Sequence, residues 1–343
     1  MPLYGAIDLH SNNNYLVVMD SGDRVVFRRR LANVLEEVLR VLAPFGPELA
    51  GVVVESTYNW YWLVDGLQEA GYRTHLANTA AIQQYEGLKH TDDWSDAEWL
   101  GRMLRLGVLP EGFIYPKQRR PVRDLLRKRS LLMSQRTAQW LSLGNLITRN
   151  TGVRVSGGPL KAITVEQVDR RLPQAQVALS AKCSLEVVRT LDQQMDRIEK
   201  EVKQQVKLDP TSQKTFQRLQ TVWGVGEILG LTILLETGPV SRFPQVGDYS
   251  SYCRAVSSQC LSNGRQKGHH NAKCGNRYLA WAYVEAANYA ARYYPAAQAF
   301  VSRKTRQVNR ALAIKALANK LCRASYYVMR DPVKFEPSRL FGS

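Results

Sequence analysis

Leu49 to Val54 is a near-continuous apolar run that ends on an acid, Glu55. A run of that kind fits a strand buried within a parallel sheet, and such a strand commits the chain to an α/β layer with helices against it. The flanking sequence supplies the rest of the layer. Leu3-Tyr4-Gly5-Ala6-Ile7-Asp8-Leu9 reads as an apolar strand that carries Asp8. After the polar turn Ser11-Asn12-Asn13-Asn14, Tyr15 to Met19 reads as a second strand. Turn chemistry at Asp20-Ser21-Gly22-Asp23 leads into a third, Val25-Val26-Phe27. Residues 32–42 carry Val34, Leu35, Val38 and Leu42 at helical spacing, ended by Pro44, Gly46 and Pro47. Beyond Glu55, Ser56 or Thr57 is placed to cap a helix through Trp62 and Leu67 that Gly71 stops, and Tyr72 to Ala77 is the next strand.

Three hairpin-type strands, helix, strand, helix, strand is the order of an RNase H-like sheet. In that fold the acid on the first strand holds a divalent metal. Asp8 and Glu55 both stand towards strand ends, where open α/β sheets bind their ligands. A further helix is expected from near Asp93 or Ser95 to about Leu106, stopped by Gly107. Asp93 and Asp96 are three apart and share a face of it. Taken alone they read as first-turn acids that complement the helix dipole; beside Asp8 and Glu55 they read as the other half of a site. Asp92 adjoins Asp93, which leaves the register of the third acid open by one residue.

Charge narrows the partner. Among 343 residues, 47 Lys and Arg outweigh 30 Asp and Glu, a net charge of +17. That excess points to a polyanion. No apolar run approaches a membrane span and no signal peptide precedes the first strand, so a cytoplasmic nucleic-acid partner is expected and a membrane is not. Five scattered Cys without a CxxC pair argue against a disulfide framework or a zinc site. The cations concentrate at Lys117, Arg119, Arg120, Arg123, Arg127, Lys128 and Arg129, against Asp124 alone. Their density favours a phosphate-tracking surface over a merely solvated helix face.

The remainder is helical. A long stretch runs through Leu132, Trp140 and Leu146 to a turn region at Thr151 to Gly158. Val188, Leu191, Met195, Ile198 and Val202 then alternate at three- and four-residue spacing, a coiled-coil seam that suits an intramolecular hairpin or a dimer contact equally. After Asp209-Pro210, the turn Val222-Trp223-Gly224-Val225-Gly226 resembles the hairpin of helix-hairpin-helix modules, where helix-start N–H groups meet phosphate. From Ser262 to Gly275 apolar content falls away, Gly264, Gly268 and Gly275 punctuate the chain, and Arg265, Lys267, Lys273 and Arg277 charge it. Such a segment can bring a hydroxyl and several cations to a phosphodiester. Helix resumes from Leu279 to about Met329, and an irregular tail follows Asp331.

Taken in order, Ala-Ile-Asp8-Leu-His-Ser, Val-Val-Glu55-Ser-Thr-Tyr, Asp93-Trp-Ser-Asp96-Ala, the Gly224–Gly226 turn, Ser262-Asn-Gly and Lys273-Cys-Gly-Asn-Arg-Tyr-Leu resemble the DEDD transposases of bacterial insertion sequences of the one-hundred-and-ten family, the eleven-eleven subgroup above all. The resemblance covers nearly the whole chain. It implies a RuvC-like domain over 1–116, a helical coiled-coil segment over 117–207, a mostly α-helical transposase domain over 208–330 and a tail over 331–343. It implies an acidic tetrad of Asp8, Glu55, Asp93 and Asp96 that binds Mg2+ or Mn2+, and Ser262 as nucleophile. It implies recombination of donor and target DNA, guided by a structured noncoding bridge RNA, in the bacterial cytoplasm at the nucleoid. A dimer or dimer of dimers follows, in which the serine loop of one protomer completes the acidic site of another. Physical chemistry agrees in part: four converging carboxylates raise one another's pKa until a cation relieves them, and Ser needs activation to attack. The rival is a RuvC-like nuclease or Holliday-junction resolvase that cuts with water and forms no covalent intermediate.

Overall fold

Strand alternation decides which side of the N-terminal sheet each acid takes. β1 (Leu3–Leu9), β2 (Asn13–Asp20), β3 (Val25–Ala32), α1 (Leu35–Leu42), β4 (Leu49–Glu55), α2 (Tyr61–Glu69), β5 (Thr74–Ala77) and α3 (Asp93–Leu106) follow in the order the sequence pattern suggests. The sheet runs β3-β2-β1-β4-β5, antiparallel through β1 and β2 and parallel from β1 through β4 to β5. Ile7, Leu9, Val52 and Val54 face one side, into a core with Val38 of α1 and Leu63, Val64 and Leu67 of α2. Ala6 and Val53 face the other, against Leu100 and Met103 of α3. Because successive side chains alternate, Asp8 shares the face of Ala6, and Glu55 that of Val53. Both acids therefore look towards α3. The helix lies close because Gly101 has no side chain: a Cβ there would stand 2.8 Å from Met19 Sδ and 3.3 Å from Ala6 Cβ.

The computed structural model describes residues 1–82, 92–256, 260–263, 265–268 and 274–341. The chain divides into two compact units. One is Met1–Lys117 together with Ser258–Cys274; the other is Gln118–Ser257 with Gly275–Ser343. The first holds the mixed sheet and a two-stranded hairpin, β6 (Cys260–Ser262) and β7 (Arg265–Gly268).

The second unit is mostly helical: α4 (Arg120–Thr151), α5 (Gly157–Lys161), α6 (Val165–Arg171), α7 (Ala175–Leu208), α8 (Pro210–Leu219), α9 (Glu227–Thr237), α10 (Val246–Tyr252), α11 (Arg277–Tyr293), α12 (Pro295–Thr305), α13 (Arg310–Arg330) and α14 (Pro337–Phe341). The seam on α7 packs against α4 of the same chain. Arg129 pairs with Glu199 and Arg136 with Asp192, so the partner's number falls as α4 advances and the two helices are antiparallel. The apolar core of this unit gathers α8 to α13 around the fully buried Tyr249, Tyr283 and Tyr326. Burial requires their hydroxyls to find partners: Tyr249 OH stands 2.9 Å from Thr237 Oγ1 and 2.7 Å from Tyr283 OH. Among the described residues, no helix is long and apolar enough to cross a membrane.

Candidate active site

Asp8 is 3% exposed on β1, held between the antiparallel partner Tyr15 and the parallel strand β4. Two residues on, the same face of the chain presents His10. Its Nε2 stands 3.1 Å from Asp8 Oδ2 and 3.7 Å from Asp93 Oδ1. One ligand atom from each of Asp8, His10 and Asp93 lies within 4.8 Å of the other two. Residues that follow β3 and β4 brace this corner. Asn33 Nδ2 and Asn59 Nδ2 both donate to His10 O at 3.0 Å, and Thr57 Oγ1 donates to Asn59 Oδ1 at 2.8 Å.

The two neighbouring aspartates at the start of α3 differ in use. Asp92 is the N-cap: its side chain accepts from Ser95 N, and Ser95 Oγ accepts from Asp92 N. Asp93, the first helical residue, turns instead to His10 and to Tyr15, whose hydroxyl it holds above the ordinary tyrosine range by hydrogen bonding. Asp96, one turn on, lines a cavity of about 280 Å³ with Glu55, Thr79, Ile82, Trp99 and Leu100. Glu55 closes β4, half-buried. Burial first, then a hydrogen bond to Asp8 and the charges of Asp8 and Asp96, push its carboxyl up to about 8. The four acids named from the sequence thus lie on the facing surfaces of one sheet and one helix, and His10 joins them. Its signal was the Asp-Leu-His spacing, which on a strand puts the first and third side chains on one face.

Ser262 ends β6, and its backbone pairs with that of Arg265 on β7. Asn263 follows in the left-handed region at φ 51°, in keeping with an Asn-Gly pair joining two strands. Lys267 lies on β7 and Arg265 is exposed; Lys273 lies outside the described residues, as do Ser257, Ser258, His269 and His270. The segment's last residue is tied within the first unit: Cys274 Sγ donates to Ala80 O at 3.2 Å, one residue from the cavity-lining Thr79.

Much of the cationic stretch from Lys117 is engaged with side chains of the same chain, Lys117 within the first unit and the arginines within the second. Lys117 pairs with Glu69 and Arg119 with Asp209. Arg120 and Arg123 are buried, and Arg129 is buried against Glu199. Arg127 makes a two-pronged pair with the buried Glu236, at 2.6 and 2.7 Å, and lies over the Tyr278 ring. Lys128 is exposed, and so is Arg277 at the start of α11. At the glycine turn, Gly224 sits at φ 79° where a Cβ would fall 2.0 Å from Ala286 O, so close packing alone requires glycine. Gly226 is the N-cap of α9 and faces open space.

Two family comparisons fit this layout. Residues 6–149, which carry all four acids, match the model of DEDD transposases of the IS110 type, described as Transposase. Residues 216–302, which carry the glycine turn and Ser262, match the model described as Transposase IS116/IS110/IS902 family. No curated protein matches the chain.

Proposed function

We propose, for a chain that belongs to the IS110 family of transposases, that it exchanges DNA strands through a phosphoserine formed at Ser262, beside a divalent cation held by Asp8, Glu55, Asp93 and Asp96, at sites chosen by a structured noncoding RNA. The observation that carries this reading is the crowding around Glu55. Burial first, and then the hydrogen bond to Asp8 and the charges of Asp8 and Asp96, hold the Glu55 carboxyl near 8, and a cation seated among these acids would relieve both the burial of charge and the repulsion. The donors are carboxylate oxygens with one imidazole among them, a set that suits Mn2+ or Mg2+. Bound there, the ion supplies a Lewis acid for a phosphate oxygen.

The chain's own groups do the rest. Burial and strand pairing fix Asp8, and the asparagine brace fixes the backbone of His10, which in turn limits where Asp8 and Asp93 point. Ser262 Oγ attacks phosphorus; the P–Oγ bond forms, one ester P–O bond of the DNA breaks, and the departing sugar oxygen takes up the proton. The hydroxyl of a second strand then reverses the step, so the phosphodiester energy is kept for rejoining. The tie from Cys274 to Ala80, beside the acid-lined cavity, supports a serine segment that works with these acids. Sequence choice by base pairing leaves the protein to bind backbone and shape, which a net charge of +17 serves. Two duplexes must be held and cut, and the described residues of one chain hold one acid cluster and one such serine, so the active form contains at least two chains.

The test is a denaturing gel of end-labelled DNA incubated with protein, guide RNA and Mg2+. A labelled protein band is expected with the native chain and none with Ser262→Ala. Cutting without any adduct in the native chain would favour a hydrolytic nuclease.

A further inference from the structure

β3 is an edge strand and carries three consecutive cations, Arg28, Arg29 and Arg30, all exposed. Alternation puts Arg29 on the side of Phe27 and Leu31, which join the α1–α2 core, and Arg28 and Arg30 on the α3 side. The register sets Arg30 opposite Tyr15 and Arg28 opposite Val17. Arg30 lies 5.6 Å over the Tyr15 ring and Arg28 lies 5.5 Å over the Trp94 ring. The rings are themselves continuous: Tyr15 meets Trp94 edge to face at 4.8 Å and His10 at 5.5 Å. Charges on an edge strand also deter pairing with another sheet, but that role needs no aromatic bed and no particular face. Here two guanidiniums lie on a row of rings that ends at the acids, since Trp94 follows Asp93 and His10 touches Asp8.

Neutralisation is slight. Arg28 reaches Glu98 at 4.0 Å with its side chain 61% exposed, and among the described residues no carboxylate pairs with Arg30. A cluster of four carboxylates repels the phosphates it must act on, so a strand entering it needs cations along its approach. Guanidinium groups placed over rings and left exposed can offer N–H donors to phosphate, and an aromatic row offers a face to an unpaired base.

We infer that the face built from Arg28, Arg30, Tyr15 and Trp94 seats the DNA strand being cut, gripping the phosphates that flank the scissile one. The inference rests on the reading of the acids as the cutting site, and its test separates the two. The full-length chain is crosslinked to single-stranded DNA bearing 4-thiothymidine, and to RNA of the same sequence bearing 4-thiouridine, and the modified peptides are mapped. DNA adducts on the peptides of Tyr15 and Trp94 are expected. DNA affinity is then measured across a salt series. Each lost phosphate contact lowers the slope by about 0.7 for a single strand, so Arg28→Gln with Arg30→Gln should lower it by about 1.4, and Arg29→Gln, on the other face, should leave it unchanged. An unchanged slope in the double variant, or crosslinks to this face from RNA alone, overturns the inference. Retained cutting in Asp8→Ala would instead overturn the reading of the acids, while the crosslinks still report where the DNA lies.

Discussion

Asp92 and Ser95 cap each other: Ser95 N donates to Asp92 Oδ1 at 2.8 Å, and Asp92 N donates to Ser95 Oγ at 2.8 Å. That reciprocal cap occupies Asp92 and, by fixing where the helix begins, sends Asp93 towards His10 and Asp8. The two adjacent acids should therefore separate by phenotype. Asp93→Ala is expected to abolish strand exchange and leave thermal stability nearly unchanged. Asp92→Ala is expected to keep activity and cost about 1 kcal/mol, the usual loss for an N-cap. Exchange assays and urea melts of both variants decide it; the reverse pattern would shift the third acid to Asp92.

Glu55 gives the site a pH signature. Folded, it keeps its proton up to about 8; unfolded, it loses it near 4.5. Between those values the folded chain binds more protons, so its stability in a chelator should fall as pH rises through that window. Glu55→Gln should flatten the fall. A divalent cation must displace the proton, so its apparent affinity should weaken as pH drops below about 8, with protons released on binding. Calorimetry of Mn2+ binding in two buffers of different ionisation enthalpy measures the release. Binding without proton release near neutral pH would place the cation away from Glu55.

The pair Arg127–Glu236 should behave as a structural element of the helical unit. Glu236 is 3% exposed and also accepts from Asn276 Nδ2 at 2.7 Å, while Asn276 caps α11 through Tyr278 N and Leu279 N. Removing Arg127 strands a buried carboxylate. Arg127→Ala should cost about 3–5 kcal/mol, seen in denaturant melts, whereas Lys128→Ala, exposed on the same helix, should cost little and act on nucleic-acid affinity. Equal and small effects of both on stability would mean that Glu236 finds another partner.

That Asp93 and Asp96 share a helix face follows from their three-residue spacing, and that Asp8 and Glu55 look to the same side of the sheet follows from alternation once β1 and β4 pair. The employment of the cations was not legible in the sequence. Arg119, Arg127 and Arg129 meet Asp209, Glu236 and Glu199, partners 70 to 109 residues away that only the folded helices bring near. For the same reason nothing local in the sequence singles out Arg28 and Arg30: the register lays Arg30 over Tyr15, and α3 brings Trp94 under Arg28. Gly224 looked like a phosphate cradle, yet its conformation answers to the carbonyl of Ala286; Gly226, with open space before it, is the better candidate for phosphate.

The last prediction concerns which chain supplies the serine. The segment Ser258–Cys274 belongs to the unit of the acids, yet the chain enters it from the helical unit and returns there. A segment so placed can make the same contacts with the acid-bearing unit of its own chain or of a second copy, as in domain exchange. Recombination favours the second arrangement, because cutting then waits for assembly with both duplexes in hand. Ser262→Ala and Asp8→Ala should each be inactive alone. Mixed, they should recover part of the native activity, since one pairing in the mixed oligomer unites an intact acid cluster with an intact serine. The covalent adduct should appear on the Asp8→Ala chain, which retains Ser262, and tagging the two chains to different masses reads this directly. No recovery in oligomers shown to be mixed would mean that each chain completes its own site, and an adduct on the Ser262→Ala chain would remove Ser262 as the nucleophile.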